Sequence, residues 1–138
     1  MTKEEKQLLL TDLCARLPHG VNLHIEFYDL QGDGKLTSRD IKLAPGNIAY
    51  CFDNSHWVSV KPYLRPMSSM TEEEKEDIKH RWCYNDWDID GPSSLWREKI
   101  DVEDAEGIID YFNEHHFDFR GLIPMGLALE APEDMYKQ

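Results

Sequence analysis

The amino-acid sequence predicts a single α+β domain in which about three helices pack on one face of a small antiparallel sheet of about four strands. Its 138 residues are the usual length of one domain. Apolar residues recur at helical spacing in some segments and alternate with polar residues in others. The alternating segments are separated by short turns, as antiparallel strands are. One domain is therefore expected over 1–138.

The first helix is predicted to begin after Thr2, because Thr2 and Glu5 have the spacing of a capping box. Pro18 and Gly20 are expected to end it. The apolar residues that recur at helical spacing between these signals are Leu9, Leu10, Leu13, Cys14 and Leu17.

A strand is predicted next, because apolar and polar residues alternate strictly from Val21 to Tyr28. Residues 31–34 include two glycines and an aspartate, which tolerate the positive φ angles of a tight turn. A second strand is predicted within 35–43. Two further short strands, at 48–52 and 57–60, are expected to form another hairpin.

Pro62 is expected to lie at a sheet edge, because proline has no N–H to donate to a neighbouring strand. A second capping box, formed by Thr71 and Glu74, predicts the start of the second helix. Asp101 is predicted to cap the third. The apolar stripe of that third helix is Ala105, Ile108, Ile109, Phe112 and His116.

The net charge of −12 lies entirely in the second half of the chain. Residues 1–70 contain eight basic and eight acidic residues, whereas 71–138 contain seven basic and nineteen acidic ones. The basic residues are too few and too scattered to follow a phosphate backbone, so nucleic acid and anionic membrane are not expected as partners. A basic protein is the expected partner; the alternative is that the acidic residues form solvated helix faces, which are often acidic. The acidic residues expected to contact it in the second helix are Glu72, Glu73, Glu76 and Asp77.

Cys14, Cys51 and Cys83 lie far apart, and each is expected to pack as a reduced, small apolar side chain. The amino terminus lacks the layout of a signal peptide, and no run approaches the roughly 18 apolar residues of a membrane span. A cytoplasmic location is therefore expected.

The stretch from Asp29 to Asp40 resembles a calcium-binding loop. Oxygen-bearing residues stand at the ligand positions, and Gly34 stands where the sharp turn needs it. The candidate ligands are Asp29, Gln31, Asp33 and Asp40. A calcium loop of this type also needs a helix after it, which Pro45 and Gly46 would stop. We therefore interpret the stretch as a hairpin turn, with a calcium-binding module as the alternative.

The histidines define a second alternative, a small metal-dependent hydrolase. Its candidate residues are His24, His56, His115 and His116, with an acid such as Glu26. Adjacent His115 and His116 would point about 100° apart on a helix and would not share a metal. No arrangement of residues predicts a convergent active site, so the chain is expected not to be an enzyme and to need no cofactor.

Trp82, Trp87 and Trp96 stand close together in the sequence, beside several aspartates. Aromatic side chains among carboxylates are typical of a protein-binding face. Stacking on a sugar, or anchoring the core and a loop, would account for them as well. Residues 84–99, which include Trp87 and Trp96, are expected to be irregular.

Three blocks of sequence resemble a family of small proteins carried on phages and other mobile elements of gut bacteria. The blocks are 9–21, 61–74 and 116–132. The resemblance implies no activity and no ligand. With the charge pattern, it leads us to expect a non-enzymatic accessory protein of a mobile element that acts by protein–protein contact through its acidic half.

Overall fold

A computed structural model describes residues 2–29, 32–48, 57–82 and 102–136, and it confirms the predicted α+β fold with three helices and a four-stranded sheet. In chain order the elements are α1 (Lys3–Arg16), β1 (Asn22–Tyr28), β2 (Leu36–Lys42), β3 (Trp57–Leu64), α2 (Glu72–Trp82), α3 (Val102–Glu114) and β4 (Leu129–Glu130). Short 3₁₀ turns follow α1 at Leu17–His19 and precede α2 at Met67–Ser69.

The sheet has the strand order β2-β1-β3-β4 and is mixed. β1 pairs antiparallel with β2 from Asn22↔Lys42 to Tyr28↔Leu36, which is the first predicted hairpin. β3 is antiparallel to β1, with a register shift next to Glu26. β4 pairs parallel with β3. The parallel pair departs from the expected antiparallel sheet, because the chain crosses from β3 through both later helices before β4 begins.

The second predicted hairpin is only partly described. β3 contains its second strand and continues to Leu64, while Ile48 lies in a turn and 49–56 lie outside the described residues. Pro62 pairs with Leu23 of β1 on one side, and no strand among the described residues pairs with it on the other side. Leu43 N–H donates to the carbonyl of Val21, so the backbone groups of Val21 point toward β2. Because successive residues of a strand alternate in this direction, those of Leu23 also point toward β2. The position opposite Leu23, which is Pro62, therefore has its nitrogen directed away from β1, where no N–H is needed. β4 begins pairing only at Tyr63, so no rung is lost.

The apolar residues form two clusters. The first lies between α1 and one face of the sheet and includes Leu9, Leu13, Leu23 and Leu64, each at most 1% exposed. The second lies between α2 and α3. Its buried members are Met70, Ile78, Ile108, Tyr111, Phe112, Phe117 and Phe119. The predicted stripe of the third helix is confirmed at Ile108 and Phe112, which are buried, while Ile109 is partly buried against the same cluster. The side chain of Ala105 lies outside the described residues.

Helix α1 differs from the expectation at Cys14, which is exposed and carries a free thiol. Its buried face instead includes Asp12 and Arg16, which form an ion pair of 2.9 Å between Oδ2 and Nε. Polar residues can occupy a core face only when they are paired in this way. Cys51 and Cys83 lie outside the described residues.

Helix α3 ends at Glu114, two residues before the end of the predicted stripe at His116. His116 N–H donates to the carbonyl of Asn113, and Phe117 N–H donates to that of Phe112. This is a Schellman motif, in which the residue after the cap adopts a left-handed conformation. His116 occupies that position with φ 64°. The chain then turns so that Arg65 exchanges backbone hydrogen bonds with His116 and Asp118.

Candidate functional site

A cleft of about 740 Å³ opens between the start of α2, the segment after β3 and the segment after β4. We call it the acidic cleft. Its lining residues are Arg65, Pro66, Ser69, Thr71, Glu73, Glu74, His115, Glu130, Ala131, Pro132, Glu133 and Tyr136. All but His115, Glu133 and Tyr136 lie within the sequence blocks 61–74 and 116–132. Two blocks that are distant in the sequence therefore meet at this cleft.

One wall of the acidic cleft is fixed by the pair Arg65 and Glu74. Arg65 Nη1 and Nη2 donate to the two carboxylate oxygens of Glu74 at 2.9 and 2.7 Å. The guanidinium also lies 4.2 Å from the ring centroid of Phe117. Glu74 is bonded in turn to both the backbone and the hydroxyl of Thr71, which confirms the predicted capping box.

Electrostatics in this wall favour the ionised form of Glu74. Burial by itself would raise the pKa of Glu74, but the hydrogen bonds from Arg65 and Thr71 outweigh it and hold the pKa below its ordinary value. The positive charge of Arg65 is consequently neutralised by the ionised carboxylate of Glu74. It does not offset the other carboxylates of the cleft.

The rim of the acidic cleft consists of Glu73, Glu130 and Glu133, which are exposed. Within the described part of the chain, none of the three has a basic partner within ion-pair distance. The lining has four glutamates against one arginine, which leaves a formal charge of −3 while His115 is neutral. His115 Nδ1 lies 3.7 Å from Glu74 Oε2, and the ring of His115 stacks on that of Tyr111.

The apolar part of the lining is Pro66, Ala131, Pro132 and the ring of Tyr136. Tyr136 is fixed in place. Its ring stacks on His116 with 3.9 Å between centroids, and its hydroxyl accepts from Asn22 N–H at 3.0 Å and donates to the carbonyl of Tyr63 at 2.7 Å. Burial raises the pKa of Tyr136 to about 12, so the hydroxyl stays protonated and keeps both bonds.

The acidic residues predicted in the second helix fall into two groups. Glu72, Glu73 and Glu76 are exposed, and Glu73 lines the acidic cleft. Glu72 lies 3.2 Å from Lys75. Asp77 is half-buried and is bonded to Arg81 at 3.1 Å. Burial, followed by the negative charge of Asp77, raises the pKa of Tyr111 on α3 to about 12.

The predicted aromatic surface is mostly outside the described residues. Trp82 is the last residue of α2, and Trp87 and Trp96 lie outside. The sequence did not identify Arg65, Glu130, Glu133 or Tyr136 as site residues. Arg65 and Glu130 are distant in the chain, and the pairing of β3 with β4 brings their segments together.

The candidate calcium loop is the connection of the β1–β2 hairpin. Asp29 Oδ1 accepts from Gly32 N–H, and Asp33 Oδ1 accepts from Lys35 N–H, both at 3.1 Å, as in turns closed by aspartate side chains. Asp40 lies within β2, where it is paired with His24 and directed to the outer face of the sheet. A strand therefore follows the loop where a calcium site needs a helix. Gln31 lies outside the described residues.

A second polar cluster occupies the outer face of the sheet. Asp40 Oδ1 accepts from Tyr63 OH at 3.0 Å and lies 2.8 Å from His24 Nδ1. The bond from His24 holds the pKa of Asp40 below its ordinary value. Glu26 lies 3.9 Å from the other ring nitrogen of His24. Because the two carboxylates face opposite nitrogens, they do not converge on one metal position.

Of the other candidate histidines, His115 and His116 do not form a shared site. His115 is at the acidic cleft, whereas His116 is buried and stacked on Tyr136. His56 lies outside the described residues. Across 2–29, 32–48, 57–82 and 102–136, no three His, Cys, Asp or Glu side chains are grouped as a metal site would require.

Comparison of the chain with protein-family models, with curated proteins and with solved structures finds no match. Among the helices of the described segments, none has the length and apolar character that crossing a bilayer requires.

Proposed function

We propose that this chain is a non-enzymatic cytoplasmic accessory protein of a mobile element, and that it binds a basic protein through its acidic second half. The assignment to a mobile element is supported by the resemblance of the three sequence blocks. The observation that carries the binding function is the acidic cleft, whose rim carboxylates have no ion-pair partner in the described part of the chain.

Acidic residues outside the cleft enlarge the surface that such a partner would meet. Glu72 and Glu76 are exposed on α2, next to Glu73 at the rim. Unpaired carboxylates grouped at a concave surface attract a partner of opposite charge and increase the rate of encounter. The same field repels phosphate groups, so nucleic acid is not a partner in this proposal.

A selection from a random peptide library displayed on phage tests the charge of the partner without assuming its identity. We expect the selected peptides to be enriched in Lys and Arg. Association measured by stopped flow should slow by at least about tenfold between about 50 and 500 mM salt, because the Debye length shortens over this range. Duplex DNA, as a second probe, should not bind.

The matched variant replaces Glu72, Glu73 and Glu76 by Gln and leaves Asp77 in place, because Asp77 is bonded to Arg81. We expect this variant to keep the melting temperature of the parent and to associate more slowly with the selected peptides. Selection of acidic or purely apolar peptides, or an association rate independent of salt, would contradict the proposed function.

A further inference from the structure

The geometry points to a particular occupant of the acidic cleft: an arginine side chain carried on a short segment of the basic partner. The inference rests on the proposed function, because it takes the cleft as part of the contact surface. A volume of about 740 Å³ holds more than a single side chain. Pockets of about 300–1,000 Å³ typically enclose ligands of several connected groups. The occupant is therefore a short segment with one anchoring side chain.

A cation entering the cleft meets carboxylates that have no competing cation among the described residues. The rim residues Glu73, Glu130 and Glu133 are unpaired there, while Arg65 is held by two bonds to Glu74. Arg65 therefore opposes an incoming positive charge only weakly. Charge complementarity favours a basic side chain in this place over a neutral or acidic one.

The apolar part of the lining favours arginine over lysine. Pro66, Pro132 and Tyr136 line the cleft together with the carboxylates. A guanidinium is planar and weakly hydrated, so it can lie on an apolar surface while its edge donates two parallel bonds to a carboxylate. An ammonium group is compact and strongly hydrated, and it gains less from both contacts.

The chain itself contains the arrangement that is proposed for the partner. Arg65 combines a two-bond contact to Glu74 with a position 4.2 Å from the ring centroid of Phe117. Arg120 combines a bond to Asp12 with a position 4.2 Å from the ring centroid of Phe119. In both places a carboxylate and an aromatic ring together hold one guanidinium.

The test uses three matched probes, the amidated and acetylated tripeptides Gly-Arg-Gly, Gly-Lys-Gly and Gly-citrulline-Gly, titrated into the intact chain labelled with ¹⁵N. Citrulline has the shape of arginine without its charge. We expect the arginine probe to shift the amide resonances of Glu130, Ala131 and Glu133 and to bind at least about threefold more tightly than the lysine probe. The citrulline probe should not bind measurably.

Two variants that remove equal charge locate the contact. Replacement of Glu130 and Glu133 by Gln should weaken binding of the arginine probe by about fivefold, because two exposed charge contacts are lost. Replacement of Glu72 and Glu76 by Gln should leave it within about twofold, since neither residue lines the cleft. Retained amide dispersion and melting temperature show that each variant is folded.

Equal affinity for the arginine and lysine probes, or shifts located on α2 instead of the cleft, would overturn the inference. Absence of any shift with the arginine probe at low salt would overturn it too. The proposed function would then still hold if the displayed peptides are basic. It would fail separately if those peptides are not basic, whatever the tripeptides do.

Discussion

His116 combines an unfavourable backbone conformation with a buried polar side-chain atom that has no hydrogen-bond partner among the described residues. It has φ 64°, a conformation that costs a residue with a side chain about 1 kcal/mol or more relative to glycine. Its ring is 8% exposed, and its Nδ1 has no hydrogen-bond partner in the described part of the chain. The stack on Tyr136 is the contact that offsets these costs. His116 thereby connects the end of α3 to Tyr136, which lines the acidic cleft.

Acid is expected to destabilise the fold through His116. Burial, followed by the positive charges of Arg16, His19, His115 and Arg65, lowers its pKa from 6.5 to about 4. Above pH 6.5 the ring is neutral in both states. As the pH falls from 6.5 toward 4, only the unfolded chain binds the proton, so up to about 3 kcal/mol of stability is lost.

Urea unfolding at about pH 7 and pH 4.5 measures this loss. The control is His116→Asn, because asparagine tolerates the left-handed conformation and does not titrate. The variant should lose about 2 kcal/mol less stability than the parent between the two values. Equal losses in the two proteins would show that His116 titrates normally.

For single residues, the sequence predicted the burial of His116 and the capping role of Glu74, but not the left-handed cap at His116 or the pairing of Glu74 with Arg65. His116 was expected to be buried on the stripe of α3, and it is buried, but after the helix has ended. A left-handed cap is normally announced by glycine, and a histidine there gives no local signal. Glu74 was recognisable as a capping residue. Its ion pair with Arg65 depends on the path of the chain between the two residues, which no local sequence pattern indicates.

Helices and strands in which apolar residues recur at a regular spacing were predictable from the sequence, and elements without such a spacing were not. The first helix, the β1–β2 hairpin and the capping box of α2 all carry signals within a few residues. β4 has only Leu129–Glu130, too short for any alternation to be visible. Since β4 supplies one side of the acidic cleft, the cleft itself was beyond prediction from sequence patterns.

The β1–β2 connection is expected to bind calcium no better than at about millimolar concentration, because Asp40 is held in a strand by His24 and Tyr63. Thermal unfolding with calcium added at sub-millimolar concentration should therefore leave the melting temperature unchanged. A rise in melting temperature that Asp33→Ala abolishes would establish a calcium site instead.

Across the whole molecule, a buried polar group joins the two apolar clusters. Asp12 on α1 accepts from Arg16 Nε at 2.9 Å and from Arg120 Nη1 at 2.6 Å. Arg16 also donates to the carbonyl of Phe117, a member of the second cluster. Helix α1, which packs on the sheet, is thus connected to the segment that follows α3.

Asp12→Asn is expected to cost about 3–5 kcal/mol, because it leaves two guanidinium groups around an uncharged partner in the interior. Urea unfolding followed by circular dichroism measures this cost. Glu4→Gln removes the same charge from an exposed position of α1 and serves as the control. A loss below about 1 kcal/mol would mean that water or another group compensates the buried arginines.

The hydroxyl of Tyr136 stands where the next rung of the β1–β3 ladder would form, between Asn22 N–H and the carbonyl of Tyr63. Tyr136 therefore bridges the end of the β1–β3 pairing, although it lies 114 positions after Asn22 and 73 positions after Tyr63 in the sequence. During synthesis, β1, β2 and β3 leave the ribosome long before this side chain exists. Contacts of such long range form late. We therefore expect the acidic cleft, which Tyr136 lines, to be completed only after the β1–β2 hairpin has formed.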